Sequence, residues 1–260
     1  MGRDKHFFRI ENPSDDFPYY NGKPVSVGLF GWVIILAFLV LSFLSLRLHG
    51  LLNFLPDAAS KSIAVFVMLA LSALGLILVT RKHWVCIFRK FHARNIKTVL
   101  LCLVASYVLS FVAAKLVALV APTSANPQAV ASHSGVPAFL FSLFQDLFQL
   151  MGEEFLAILP FLAILQLGYT VFKWSRKTSI VVATIASCVL FGLLHLPTYN
   201  WNWMQCIFAI GLARLPFTLG YIATKNIFVS FLIHYLFDSL IFIFMFALSS
   251  YVDLSTVLPA

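Results

Sequence analysis

The sequence predicts an all-α, polytopic transmembrane helix bundle of about seven spans, with an eighth as the alternative. Three observations predict it. Of 260 residues, 61% are hydrophobic and only 11% charged, against about 25% charged in soluble domains. Apolar runs of about 20 residues recur almost end to end, and each is long enough to cross a hydrocarbon core of ~30 Å. The bases of the +8 net charge sit in short clusters between those runs, where topology signals and anionic-lipid contacts belong. A nucleic-acid partner is therefore not expected.

The elements follow in order. Residues 1–26 are polar, and without an apolar core segment they predict no cleaved signal peptide. Asn12, Pro13, Asp15, Asp16 and Pro18 predict a short, weakly ordered cytoplasmic arm. The expected spans are 27–46, 62–79, 98–120, 137–169, 178–195, 203–223 and 227–248. All are read as helices, since lipid tolerates only closed backbone hydrogen bonding. Fourteen of the 18 Lys and Arg residues then fall on one side: four before the first span, six between Arg81 and Lys97, and Lys173, Arg176, Lys177 and Lys225. The other side receives Arg47 and Lys61, so the N-terminus is expected in the cytoplasm and the C-terminus outside. At ~1.5 Å per residue the run 137–169 is ~50 Å long. It must tilt, protrude or break at Pro160, where the eighth span would start. Cys86, Cys102, Cys188 and Cys206 show no CxxC spacing, which speaks against a disulfide framework or a zinc ribbon.

Ionisable groups inside spans are costly and by default face the bundle interior. Here they concentrate in the second half: Gln145, Asp146, Gln149, Glu153 and Glu154 on the fourth span, His195 ending the fifth, Arg214 on the sixth, and His234 and Asp238 on the seventh. Ser142, Gln145, Asp146, Gln149 and Glu153 follow one helical face, so they either line a wet cavity or form an interhelical hydrogen-bonding seam. His195 is open to two readings, a satisfied interfacial residue or a functional one. His234 and Asp238 lie one turn apart on one face, which fits either a carboxylate orienting an imidazole or a functional pair. Carboxylates and histidines from three helices converge only in the interior. That set suits water activation: a glutamate to take the proton, a histidine to position water or hold a metal, a second to stabilise an oxyanion.

At these residues the chain resembles the CPBP intramembrane protease family, which includes prenyl-protein CAAX endopeptidases and bacterial bacteriocin-processing and immunity (Abi) proteins. The pattern EExxxR corresponds to Glu153, Glu154 and Ile158, FxxxH to Phe191 and His195, and HxxxN or HxxxD to His234 and Asp238. Gly211 and the pair Gly220 and Tyr221 fall where the family has a glycine-containing helix. The resemblance spans residues 137–242. It divides the chain into an arm (1–26), N-terminal helices (27–136), a CPBP-like catalytic bundle (137–249) and a tail (250–260).

The resemblance implies Glu153 as general base, Glu154 in support, His195 sharing the water, and His234 with Asp238 on the oxyanion side. It also implies either a metalloprotease, with zinc ligands drawn from Glu153, His195 and His234, or a metal-free glutamate peptidase; no HExxH is present. The expected substrate is a membrane-associated protein or peptide, such as a lipidated CAAX-like tail, a leader or pheromone peptide, or a bacteriocin-like peptide. The chain departs from the pattern at Ile158, where the family has arginine. Arg214 is expected either to supply the missing cation to Glu154 or to snorkel to lipid headgroups. Two other functions stay open: an inactive scaffold or immunity protein, and a small transporter or channel. A bacterial plasma membrane is the expected location.

Depth sets one further condition. Counted from residue 178, His195 lies ~25 Å from the cytoplasmic boundary, while His234, counted from residue 227, lies only ~10 Å in. To meet, the fifth helix must begin inside the cytoplasm or tilt strongly, with 196–202 dipping into the outer half and satisfied by Thr198, Asn200 and Asn202. Trp201 and Trp203 read as an interfacial aromatic belt.

Overall fold

The computed structural model describes residues 7–129 and 135–249. The tail 250–260 and the basic residues Arg3 and Lys5 lie outside them. Among the described residues there is no strand, and seven long helices account for the predicted spans: α1 (Leu29–Ser45), α2 (Asp57–Thr80), α3 (Ala93–Ala118), α4 (Val136–Val171), α5 (Arg176–Leu194), α6 (Trp203–Thr224) and α7 (Ile227–Ser249). Six are long and apolar enough to cross a membrane; α1, with 17 residues, is ~26 Å long and slightly short of the hydrocarbon thickness.

The eighth span does not form. α4 runs through Pro160 without a break and continues as a π-helical turn over Leu167–Val171. Next to the disrupted turn, Ser187 of α5 donates its hydroxyl to the Ala157 carbonyl at 2.7 Å. This long helix is the axis of the bundle, packed by α1, α2, α5 and α7, with Phe155 through Leu159 and Phe161, Leu162 and Leu165 all buried. α3 packs instead against α6 and α7.

Two glycines bring α5 and α6 together at backbone distance. A Cβ on Gly192 would run into the Cys206 carbonyl, and one on Gly211 would lie 2.9 Å from the Cys188 carbonyl oxygen. The π-helical turn Cys206–Gly211 sits at this crossing. Two tyrosines fix α7: Tyr235 donates to the Leu143 carbonyl of α4 (3.3 Å) and Tyr107 of α3 to the Phe237 carbonyl (2.9 Å).

The helix ends gather into two faces. On the first, the arm, the 3-10 helix Arg81–Ile87 and the turns at Arg176 and Lys225 meet; on the second, the α1–α2, α3–α4 and α5–α6 connections meet. The first carries most of the basic residues. Here the expectation of a weakly ordered arm is corrected. Phe17, Tyr19 and Tyr20 are buried, with the Phe17 ring 5.5 Å from Phe161 and 5.8 Å from Tyr221. Glu11 takes both Arg176 guanidinium nitrogens (2.9 and 2.6 Å) and the Lys225 ammonium (2.7 Å), and Asp16 binds Arg176 at 2.8 Å. Arg176 and Lys225, counted from the sequence among the topology signals of the loops, are thus buried. The arm orders because its aromatic rings cover apolar helix ends and its carboxylates neutralise buried cations.

Candidate active site

The site forms where α4, α6 and α7 meet beside the end of α5. Adjacent residues on α4 point in different directions: Glu154 faces the protein interior with no exposed side-chain surface, and Glu153 faces a cavity and keeps 13%. Buried carboxylates need a cation or hydrogen bonds. Glu154 has both, an ion pair to Arg214 Nη1 and hydrogen bonds from Arg214 Nη2 (2.7 Å) and His234 Nδ1 (2.9 Å).

Arg214 lies between two aromatic faces, with its guanidinium carbon 4.9 Å from the Phe191 centroid and 5.5 Å from that of Phe217. Ser230 Oγ is 3.5 Å from its Nη2. The Nε atom has no hydrogen-bond partner among the described residues. Ile158, at the family's arginine position, is fully buried among apolar side chains. The cation that pairs with Glu154 therefore comes from a different helix.

Glu154 in turn orients the imidazole of His234. With Nδ1 on that carboxylate, Nε2 faces Asp238 Oδ2 at 3.4 Å and Glu153 Oε2 at 3.9 Å. Phe217 stacks on the ring at 4.9 Å and 27°. Ser230, which sequence reasoning missed, lies one helical turn before His234, and the stripe Ser230, His234, Asp238 was the available signal.

A cavity of about 420 Å³ opens over Glu153, His234 and Asp238; Gln149, His195 and Tyr199 also line it. Gln149 Nε2 donates to Glu153 Oε1 at 3.1 Å. His195 donates Nδ1–H to the Phe191 carbonyl (2.8 Å), which leaves the lone pair on Nε2. Its ring does not bond to Glu153 or His234; Phe191 stands between the histidines, with centroids 4.7 Å from His195 and 5.8 Å from His234. α5 starts at the buried Arg176, and the turn after Leu194 folds back with Tyr199 buried and Thr198 and Asn200 exposed. Asn202 holds that turn, accepting from Gln205 N (3.1 Å) and donating to the Pro122 carbonyl (2.5 Å).

Of the residues read as cavity-lining, Gln149 is on the wall and the other two are not. Gln145 forms a helix–helix seam, donating to the Ala58 carbonyl (2.9 Å) and Ser62 Oγ (2.8 Å) of α2. Asp146 is buried against Gln128 Nε2 (2.5 Å), with Lys61 at 3.9 Å.

The residues do not fit the zinc site that the resemblance admits. Among the described residues no three His, Cys, Asp or Glu side chains come together as a ligand set. His234 engages Glu154 through Nδ1 and turns Nε2 towards Asp238.

Comparison with known proteins adds one finding. Residues 135–240 match the family model described as type II CAAX prenyl endopeptidase Rce1-like. No curated protein and no solved structure matches the chain. The matched segment contains α4 through His234 and Asp238, that is, every residue of the site just described. The likeness to that family thus covers less than half of the chain, but the part that carries the site.

Proposed function

We propose that this protein is an intramembrane endopeptidase that hydrolyses a peptide bond of a membrane-associated protein or peptide, with Glu153 as general base. The observation that carries the reading is the division of labour between two adjacent carboxylates. Glu154 is saturated by Arg214 and His234, while Glu153 faces the cavity with a single side-chain hydrogen bond, from Gln149. Only Glu153 is free to take a proton.

The proposed steps use the residues on the cavity wall. Water between Glu153 and the His195 Nε2 lone pair loses a proton to the Glu153 carboxylate as its oxygen attacks the scissile carbonyl. The oxyanion that develops accepts from His234 Nε2–H, an atom held in place from behind by Glu154 and flanked by Asp238. When the C–N bond breaks, Glu153 returns its proton to the leaving amine. Apolar walls from Phe191, Phe217 and Phe237 exclude competing water and suit a membrane-held substrate. An inactive scaffold would fit the loss of the motif arginine at Ile158, but Arg214 gives Glu154 a cation from another helix, which supports the active reading.

The test compares cells expressing wild type and Glu153→Gln at matched membrane levels, by mass spectrometry of new peptide termini. Termini present only with the wild type are expected. Identical sets with the phenotype retained would sink the endopeptidase reading and favour a scaffold.

A further inference from the structure

The two faces of the bundle differ in charge and in closure, and the site communicates with only one of them. On the basic face lie Arg81, Lys82, Arg89 and Lys90, together with Lys173, Arg176 and Lys225. This face is shut by the arm: Glu11 bridges Arg176 and Lys225, Tyr19 bonds the His83 carbonyl (2.8 Å), and Asn226 bonds both the N–H and the carbonyl of Arg89 (3.2 and 3.0 Å). Among the described residues, none of the arm, of 81–92, of 172–176 or of 225–226 lines the cavity.

The cavity lining reaches the other face. Asn126, Pro127 and Gln128 of the α3–α4 connection and Thr198 and Tyr199 of the α5–α6 connection line the cavity. These connections are cross-linked by Ser124 and Gln205, whose main-chain and amide groups exchange two hydrogen bonds (2.9 and 2.7 Å), and by Asn202 on Pro122. Among the described residues Arg47, Lys61 and Lys115, the last in the final turn of α3, are the Lys and Arg residues near this face. Basic connections stay in the cytoplasm, so the face that the cavity lining reaches is the extracytoplasmic one.

From this we infer that substrate reaches Glu153 from the extracytoplasmic side, and that the substrate class is an exported or outward-facing membrane-anchored peptide and not a cytosolic C-terminal tail. The inference rests on the endopeptidase reading for the word substrate; the sidedness stands on the charge distribution and the arm. Glu153 lies ~26 Å along α4 from Val136 at ~1.5 Å per residue. A peptide anchored in the outer half of the bilayer thus reaches the carboxylate through the cavity without crossing the arm.

The experiment uses the full chain in cells and a membrane-impermeant maleimide, read by mass spectrometry of labelled peptides. Thr198→Cys places a thiol on the cavity lining and Asn53→Cys a second on the same face, both at exposed positions, while native Cys86, partly exposed on the basic face, is the internal reference. Positions 198 and 53 are expected to react in intact cells, and Cys86 only after permeabilisation. The reverse order overturns the proposal, and so does failure of both introduced thiols to react before permeabilisation. The two readings fail separately: reversed labelling with Glu153-dependent peptide termini sinks the sidedness alone. Expected labelling without such termini sinks the endopeptidase reading and leaves the orientation.

Discussion

Glu154 and Arg214, 60 residues apart in the chain, form a two-pronged ion pair in which neither side chain has exposed surface. Breaking a buried pair by removing one partner costs about 3–5 kcal/mol, because the other charge is left uncompensated. Arg214→Ala should therefore yield a destabilised protein without activity. Ile158 lies one helical turn from Glu154 on the same helix, within reach for a side-chain pair. Ile158→Arg in the Arg214→Ala background should recover part of both properties. Melting in detergent, followed by cleavage, checks this; a double variant no better than Arg214→Ala would show that the position of the cation, not its presence, is what matters.

The neighbouring glutamates should respond differently to the same isosteric change. Glu153→Gln removes the base from a partly exposed group with one side-chain partner, so cleavage should fall by about 100-fold or more with little change in melting. Glu154→Gln leaves Arg214 uncompensated and should lower both. Equal loss of stability in the two variants would contradict the assigned roles.

The α5–α6 crossing places Phe191 and His195, and it depends on absent side chains. Gly192→Ala drives a methyl into the Cys206 carbonyl, a backbone atom that cannot rotate away. Overpacking of this kind costs about 1–3 kcal/mol. Gly50→Ala, whose methyl meets nothing within 4 Å, is the control, and thermal unfolding of the two variants should separate them clearly.

The arm makes stability depend on acid. Burial raises the Glu11 pKa, but hydrogen bonds from Arg176, Lys225 and the Phe8 N–H outweigh it and hold the carboxyl below its ordinary 4.5. The unfolded chain then binds this proton more readily than the folded one. Glu11's contribution is fully present above about pH 4.5 and is lost as pH falls through the lower folded value. Burial acts in the opposite sense on Lys225, whose pKa lies below the ordinary lysine value despite Glu11. Glu11→Gln should lower melting at neutral pH and flatten its decline below pH 4.5, which a melting series across pH 3 to 7 checks.

The sequence by itself determined the all-helical membrane architecture, because spans of about 20 apolar residues in lipid have few structural solutions. It also located Glu153, Glu154, His195, His234 and Asp238, since charge at membrane depth survives only with a reason. Tertiary structure alone decided the partners. Nothing in helical periodicity tells that Glu154 turns to Arg214 while Glu153 turns to the cavity, or that Gln145 and Asp146 leave the polar stripe for α2 and Gln128; those choices depend on which helices are neighbours. The arm shows the same limit. Glu11 and Asp16 look like solvated acids in a polar tail until the fold brings Arg176 and Lys225, from segments more than 150 residues away, to the same buried point. Local pattern reports the cost of burying a group, and only the packed bundle supplies the group that offsets it.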